Sequence, residues 1–258
     1  MTRMFVVLLG ASLLLLSPSA SLAQSTKETF TLDSSIGLNA YQGLVEEHLA
    51  GVLSGLKTLA PTDEATSGIW ERVKGPLEVF SKTIPTPAAV WFAKTDGSYF
   101  TVEKGLAKAT LNDRTYFPML MAGNDVNGSL VISKSTGERS IIVAVPIVKN
   151  GKVVGALGAS LSATQLSMMV SDRMGHPNKA IFYALDAQGQ AALHSEPSLI
   201  FEFPSDIGDK TLKSAVRKML SQPEGVVTYM FRNSRRTAIF RKSKMTGWVF
   251  VMGIVHSS

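Results

Sequence analysis

Arg114, within Asp113-Arg114-Thr115-Tyr116-Phe117, is the residue of this chain best suited to holding a ligand. A guanidinium offers a rigid fork of N–H donors that grips a carboxylate through two bonds, and the rings of Tyr116 and Phe117 can keep water from the pair. An exposed helix arginine with two core aromatics behind it is the plainer alternative. Trp91 and Tyr99 stand on either side of Lys94-Thr95-Asp96-Gly97, whose Asp-Gly pair suits a tight hairpin turn. On such a hairpin the two rings can share one face of a sheet. A buried Tyr99 hydroxyl needs a polar partner, which makes it the better ligand contact, while Trp91 serves equally as sheet core.

Material for catalysis is thinner. The chain has no Cys, which removes thiolate metal ligands and thiol nucleophiles. His48, His176, His194 and His256 lack the spacing of a metal site, and there is no nucleophile elbow, phosphate loop or dinucleotide-binding glycine motif. These absences give an enzyme little support, and no cofactor is expected.

The hydrophobic pattern indicates what positions these side chains. Over residues 33–59 the apolar positions Leu38, Tyr41, Leu44, Val45, Leu49, Val52, Leu53, Leu56 and Leu59 recur three and four apart. This predicts a long amphipathic helix, capped by Asp33 or Ser34 and followed by Pro61. Gly43, Gly51 and Gly55 weaken its intrinsic propensity, so packing along one face must hold it. A second helix over 68–81 is expected to break at Pro76. The period then changes to that of strands. Segments 88–93 and 98–102 flank the first turn, a short helix over 113–122 carries Arg114, and 128–133 reads as a strand. Segments 140–148 and 152–161 form an apolar hairpin, followed by a helix over 163–171 and a break at Gly175-His176-Pro177. The same order then recurs more weakly, with strands at 180–186, 190–194, 225–231, 236–242 and 248–254 and a helix at 210–220. The fold class is α+β, two successive antiparallel-sheet units of about 90 residues behind a long helix.

The N-terminus sets the expected compartment. Met1-Thr2-Arg3, an apolar run over 4–16 and Ser21-Leu22-Ala23 have the order of a secretory signal peptide cleaved before Gln24. The apolar run, about 13 residues, is short of the roughly 20 that span a bilayer. No Cys follows the cleavage point and no later run has spanning length, so a periplasmic or secreted product that does not span the membrane is expected. Without disulfides a hydrophobic core must hold the fold, which 45% hydrophobic residues allow. The formal charge is +6. Export argues against nucleic acid as the reason for it and favours an anionic ligand, envelope surface or acidic partner. The densest basic run, Arg232, Arg235, Arg236, Arg241, Lys242 and Lys244, lies on the terminal hairpin. It reads either as a docking surface for anionic lipid or an acidic protein, or as a solvated sheet edge.

Several motifs follow one another as they do in double Cache sensor domains. They are the long helix, Trp91-Phe92-Ala93-Lys94-Thr95-Asp96-Gly97-Ser98-Tyr99, Asp113-Arg114-Thr115-Tyr116-Phe117, Ser133-Lys134-Ser135-Thr136-Gly137, Val143-Ala144-Val145-Pro146-Ile147, Gly151-Lys152-Val153-Val154-Gly155 and Thr246-Gly247-Trp248. Over essentially the whole mature chain the sequence resembles that family, the extracytoplasmic ligand sensors of chemoreceptors, sensor kinases and cyclic-dinucleotide enzymes. Behind the expected signal peptide over 1–23, the resemblance implies a long helix over 24–61, a ligand-binding PAS-like unit over 62–170 and a second PAS-like unit over 171–258. It also implies that Arg114 belongs to the family's Arg-x-aromatic-aromatic pattern, with Tyr116 where Trp is common.

In amino-acid-binding members an Asp before the Thr-Gly turn accepts the ligand's ammonium group, and Ser133 takes that place here. A neutral hydroxyl is a poor partner for a desolvated cation. A small carboxylate, with Arg114 as counter-ion and Ser133 or Lys134 as donor, is therefore expected in preference to an amine. Family receptors carry membrane helices on both sides of the module, and this chain shows neither. A separate membrane receptor or sensor kinase is the expected partner in signal transduction. A ligand-free envelope adaptor or inhibitor built on the same fold is the alternative.

Overall fold

The computed structural model describes residues 33–134, 136–175 and 180–256. The expected signal peptide and the His176-Pro177 part of the break lie outside them. The chain adopts the expected α+β architecture, an N-terminal helix with two antiparallel sheets. Helix α1 runs Ser34–Leu59, with the Asp33 side chain accepting from Ser35 N–H at its start. It buries Leu38, Tyr41, Val45, Leu49, Val52 and Leu56, the stripe that three-four spacing dictates. Helices α2 (Asp63–Thr66) and α3 (Trp70–Ser81) follow. Pro76 lies inside α3 without breaking it, contrary to expectation. Its missing N–H leaves the carbonyl of Arg72, an exposed residue, without its helical donor, while Val73 and Leu77 anchor both sides in the core.

The first sheet contains β1 (Ala88–Lys94), β2 (Ser98–Thr101), β3 (Gly105–Thr110), β4 (Val126–Ile132), β5 (Arg139–Lys149) and β6 (Lys152–Ser162), ordered β3-β2-β1-β6-β5-β4. Helix α4 (Phe117–Met121) lies between β3 and β4, and α5 (Ala163–Met174) leads onward. The second sheet contains β7 (Ala180–Leu185), β8 (Ala191–His194), β9 (Glu224–Phe231), β10 (Ser234–Lys242) and β11 (Val249–Val255), ordered β8-β7-β11-β10-β9. A 3-10 turn at Pro197–Leu199 and helices α6 (Pro204–Ile207) and α7 (Lys210–Ser221) are inserted between β8 and β9. With the edge strand β3 set aside, both sheets have one order: second strand, first, fifth, fourth, third. The weak repeat in the sequence is thus a repeat of topology.

Strand alternation divides the core. From the first sheet, Val90, Phe92, Ile141, Val143, Leu157 and Ala159 pack with the α1 stripe, and Phe182, Ala184, Trp248 and Phe250 of the second unit complete the same core. Trp248 joins the units directly by donating from Nε1 to Gly128 O at 3.1 Å. Gly128 has φ +99, and a side chain there would press on the indole at 3.1 Å, so only glycine permits this approach. Each sheet's other face carries its own core and helical insert.

Three further expectations are corrected. Strand β3 escapes the sequence pattern because Gly-Leu-Ala-Lys-Ala-Thr has one β-branched residue, Thr110, and no aromatic, and as an edge strand it leaves Leu106 62% exposed. The helix over 113–122 shrinks to α4, with Pro118 in its first turn, so Arg114 sits on a turn and not a helix. The basic run does not lie on a sheet edge, since β10 is flanked by β9 and β11. Two of its six charges are engaged in ion pairs: Arg232 with Glu196 at 2.8 Å and Arg241 with Glu224 at 3.1 Å. Among the described residues no helix is long and apolar enough to cross a membrane.

Candidate functional site

Six of the seven residues singled out above line one cavity on the face of the first sheet that points away from α1: Trp91, Tyr99, Arg114, Tyr116, Ser133 and Lys134. Strand register accounts for much of this. Ala93 pairs with Tyr99 and Trp91 with Thr101, so Trp91, Tyr99 and Thr101 share a face, as does Ser160 opposite Ala89. Trp91 also pairs with Gly158, where a side chain would run into the indole. The glycine lets the ring lie across the sheet, with Nε1 donating to Ser160 Oγ at 3.2 Å. Thr101 and Ser160 are the polar wall residues that sequence reading missed, and the alternation around Trp91 was the signal that could have found them.

Arg114 is placed by turn hydrogen bonds. Leu111 N donates to Gly97 O at 2.8 Å and Asn112 Nδ2 to Asp96 O at 2.8 Å, which ties the segment after β3 to the first hairpin turn. Arg114 N then donates to Leu111 O at 2.9 Å and Phe117 N to Arg114 O at 3.0 Å. The guanidinium reaches across to donate from Nη2 to Ile132 O at 2.7 Å, at the end of β4. Beyond that strand, Ser133 Oγ accepts from Thr136 N at 3.2 Å.

The two cations differ in their engagement. Lys134 pairs with Asp113 at 2.5 Å and donates to Thr110 O at 3.0 Å, and this bond holds the Asp113 carboxyl below its ordinary range. Arg114 forms no ion pair with any described residue, so it is the uncompensated positive charge of the cavity. Tyr116 packs its ring 6.5 Å from that of Trp91. Burial pushes the Tyr116 hydroxyl well above the tyrosine range, with the Arg114 charge opposing, so it acts as a neutral donor. Phe117 does not line the cavity. As the first residue of α4 it is buried with Leu120, Val126 and Ala144, supporting the wall from behind.

The enclosed centre is small, about 20 Å³. It adjoins a space of about 220 Å³ through the shared Thr101, Ser133 and Ser160, where Glu103 and Glu138 also stand. A third space, about 350 Å³, shares Tyr99, Thr101 and Lys134 and carries Lys104 and Lys108. A compact aromatic slot with one free guanidinium, widening toward polar surroundings, can seat a small anion and extend to accept a larger body.

A helix feeding two PAS-like antiparallel sheets, with a cavity under the insert of the first, is the architecture of double Cache sensory domains, and that is the fold of this chain. The chain is similar to the sensory domain of the Campylobacter jejuni chemoreceptor Tlp3 with isoleucine bound, at 16% identity and TM-score 0.61, covering 86% of this chain and 89% of that one. It is also similar to the ligand-binding domain of Pseudomonas fluorescens chemoreceptor CtaA in complex with L-serine, at 15% identity and TM-score 0.67, covering 86% and 95%. The ligand-binding domain of the Pseudomonas aeruginosa chemoreceptor PctB in complex with L-Gln gives 15% identity and TM-score 0.68, covering 87% and 90%. No family model matches the sequence, and no curated protein matches it. At these identities the likeness is one of fold.

Proposed function

We propose that this chain is an extracytoplasmic ligand-binding sensor module that captures a small organic carboxylate in the cavity of its first sheet unit, residues 62–170. The observation that carries the reading is the unpaired Arg114 guanidinium, fixed by its bond to Ile132 O within a wall built from Trp91, Tyr99 and Tyr116. A half-exposed guanidinium of this kind binds a carboxylate with charge-assisted bonds, and the Tyr116 and Tyr99 hydroxyls can donate to the same group. Binding and signalling, rather than catalysis, is the task of such a site.

An amino acid is the second reading, favoured by the isoleucine, L-serine and L-Gln bound in the similar structures. Its carboxylate suits Arg114 equally. Its ammonium group needs an acceptor, and no carboxylate is among the described residues that line this cavity: Asp113 is engaged by Lys134, and Glu103 and Glu138 stand in the adjoining space. That wall favours the carboxylate without an amine. Calorimetry with matched pairs, an L-amino acid and the 2-hydroxy acid of the same side chain, separates the readings. The hydroxy acid should bind more tightly, and Arg114→Ala should weaken it by at least about tenfold, the scale of one lost charge-assisted pair. Tighter binding of the amino acid reverses the ligand assignment, and unchanged affinity in the variant removes Arg114 as anchor.

The proposal includes export by the N-terminal segment and readout by a separate membrane receptor or sensor kinase. The order of charge, apolar run and small residues over 1–23 supports the export. N-terminal sequencing of the periplasmic fraction should then begin at Gln24. Ligand-dependent capture from membranes would identify the partner, and capture indifferent to ligand would favour an adaptor role instead.

A further inference from the structure

The second sheet holds a cavity of its own, at the place equivalent to the first. It lies on the face covered by the insert between β8 and β9, as the first cavity lies under the insert between β3 and β4. Tyr183 pairs with His194 across β7 and β8, and Arg236 pairs with Tyr229 across β10 and β9, which puts all four on one face. Leu199, Pro204, Ile207 and Leu212 of the insert complete an apolar wall.

The polar groups of this cavity are donors in excess. The Arg236 guanidinium stacks over the Phe231 ring, 4.6 Å from its centre, and its buried Nε has no hydrogen-bond partner. A buried cationic N–H without an acceptor is costly and points to an occupant. Tyr183 and Tyr229 share one hydrogen bond at 3.1 Å, so one of their two protons has nothing better than the Met219 sulfur, 3.8 Å from Tyr183. His194 Nδ1 already accepts from Glu196 N at 2.7 Å, which puts the proton of the neutral ring on Nε2. The one acidic residue in the wall is Glu202, and it forms no ion pair with Arg236.

We propose that this second cavity binds a carboxylate of one to three carbons, its oxygens on Arg236 Nε and the tyrosine pair and its alkyl end against Leu199, Ile207 and Leu212. A planar guanidinium fits a carboxylate, and the apolar wall disfavours a strongly hydrated inorganic anion. The enclosed space, about 20 Å³, is on the scale of a single water, so it seats the carboxylate oxygens alone and leaves a short alkyl end in the open mouth of the cavity. Entry falls to α6, which buries no residue, and Ile207 at its end is 44% exposed. The site does not depend on what occupies the first cavity.

The test follows the arginine Nε–H signals of the full chain by NMR during titration with sodium acetate and sodium propionate, against sodium chloride at equal ionic strength. The Arg236 signal is assigned by its loss in Arg236→Gln, or in Arg236→Lys if the first variant fails to fold. A saturable shift of this signal with carboxylate but not chloride is expected. It should persist in Arg114→Gln and weaken at least tenfold in Ile207→Trp, which fills the entrance. No saturable shift, or the same shift with chloride, overturns the proposal and leaves water as the occupant. A shift that disappears with Arg114→Gln and survives Ile207→Trp assigns the binding to the first cavity and overturns it equally. Loss of first-site binding alone, with the Arg236 response intact, would affect only the function proposed above.

Discussion

Arg114 and His194 show how one side chain's surroundings set its use. Arg114 keeps its charge unpaired because the neighbouring carboxylate, Asp113, is taken by Lys134. The carboxylate adjacent in the sequence is thus removed by a residue more than a strand away. His194 is 7% exposed and stacked on Tyr183, and burial pushes its pKa down to about 4 from an ordinary 6.5, with Glu196 opposing weakly. The folded protein therefore keeps this ring neutral down to about pH 4, whereas the unfolded chain protonates it from about pH 6.5 downward. The unfolded state takes up the extra proton first, so stability falls as pH drops through that window, by on the order of 3 kcal/mol in full. Urea denaturation at pH 7 and pH 4.5 should show this loss in the wild type. His194→Asn, whose side-chain oxygen can still accept from Glu196 N–H, should lose markedly less. An equal loss in both would remove His194 as its source.

Among the elements, α7 is the one whose start depends most on a single residue. Asp209 Oδ1 accepts from Thr211 N at 2.8 Å and Leu212 N at 3.1 Å, satisfying two donors of the first turn. This helix buries Leu212, Ala215, Val216 and Met219 against the second sheet and closes the second cavity. Asp209→Ala should cost about 1 kcal/mol in chemical denaturation. Thermal melting of Asp209→Asn, which keeps a side-chain acceptor, should fall nearer the wild type. Helix α1 was legible in full because its stripe is long and strictly periodic and its cap, Asp33, precedes it directly. The segment that carries Arg114 was not. Its residues suit a helix, but the bonds from Leu111 to Gly97 and from Asn112 to Asp96 hold it in turns. Those partners lie more than a dozen residues back, where local propensity carries no trace of them.

For the whole molecule, Trp248 is one of the residues that tie the two sheet units into one body. Its ring is 1% exposed in the core shared with α1, and its Nε1 donates to Gly128 O on the first sheet. Trp248→Ala removes both the packing and that bond, and about 3–5 kcal/mol of stability should go with it. The shared core also predicts that the wild type unfolds in one transition. Circular dichroism along a urea series checks both points, and a second transition in Trp248→Ala would show that the indole couples the units.

The sequence alone determined the fold class, the long helix and most strands, because period and turn residues are local properties that burial then enforces. It also brought forward Arg114, Trp91, Tyr99, Tyr116, Ser133 and Lys134, since their chemistry is evident from residue type and from the motifs around them. That these six share a wall, that Phe117 stands behind it, and that Lys134 is spent on Asp113 were decided only by tertiary structure. The second cavity belongs wholly to that class. Tyr183, His194, Tyr229 and Arg236 are scattered over four strands with no spacing that marks them. Only sheet pairing brings them onto one face, and only the closure of the insert leaves the Arg236 Nε–H buried without an acceptor.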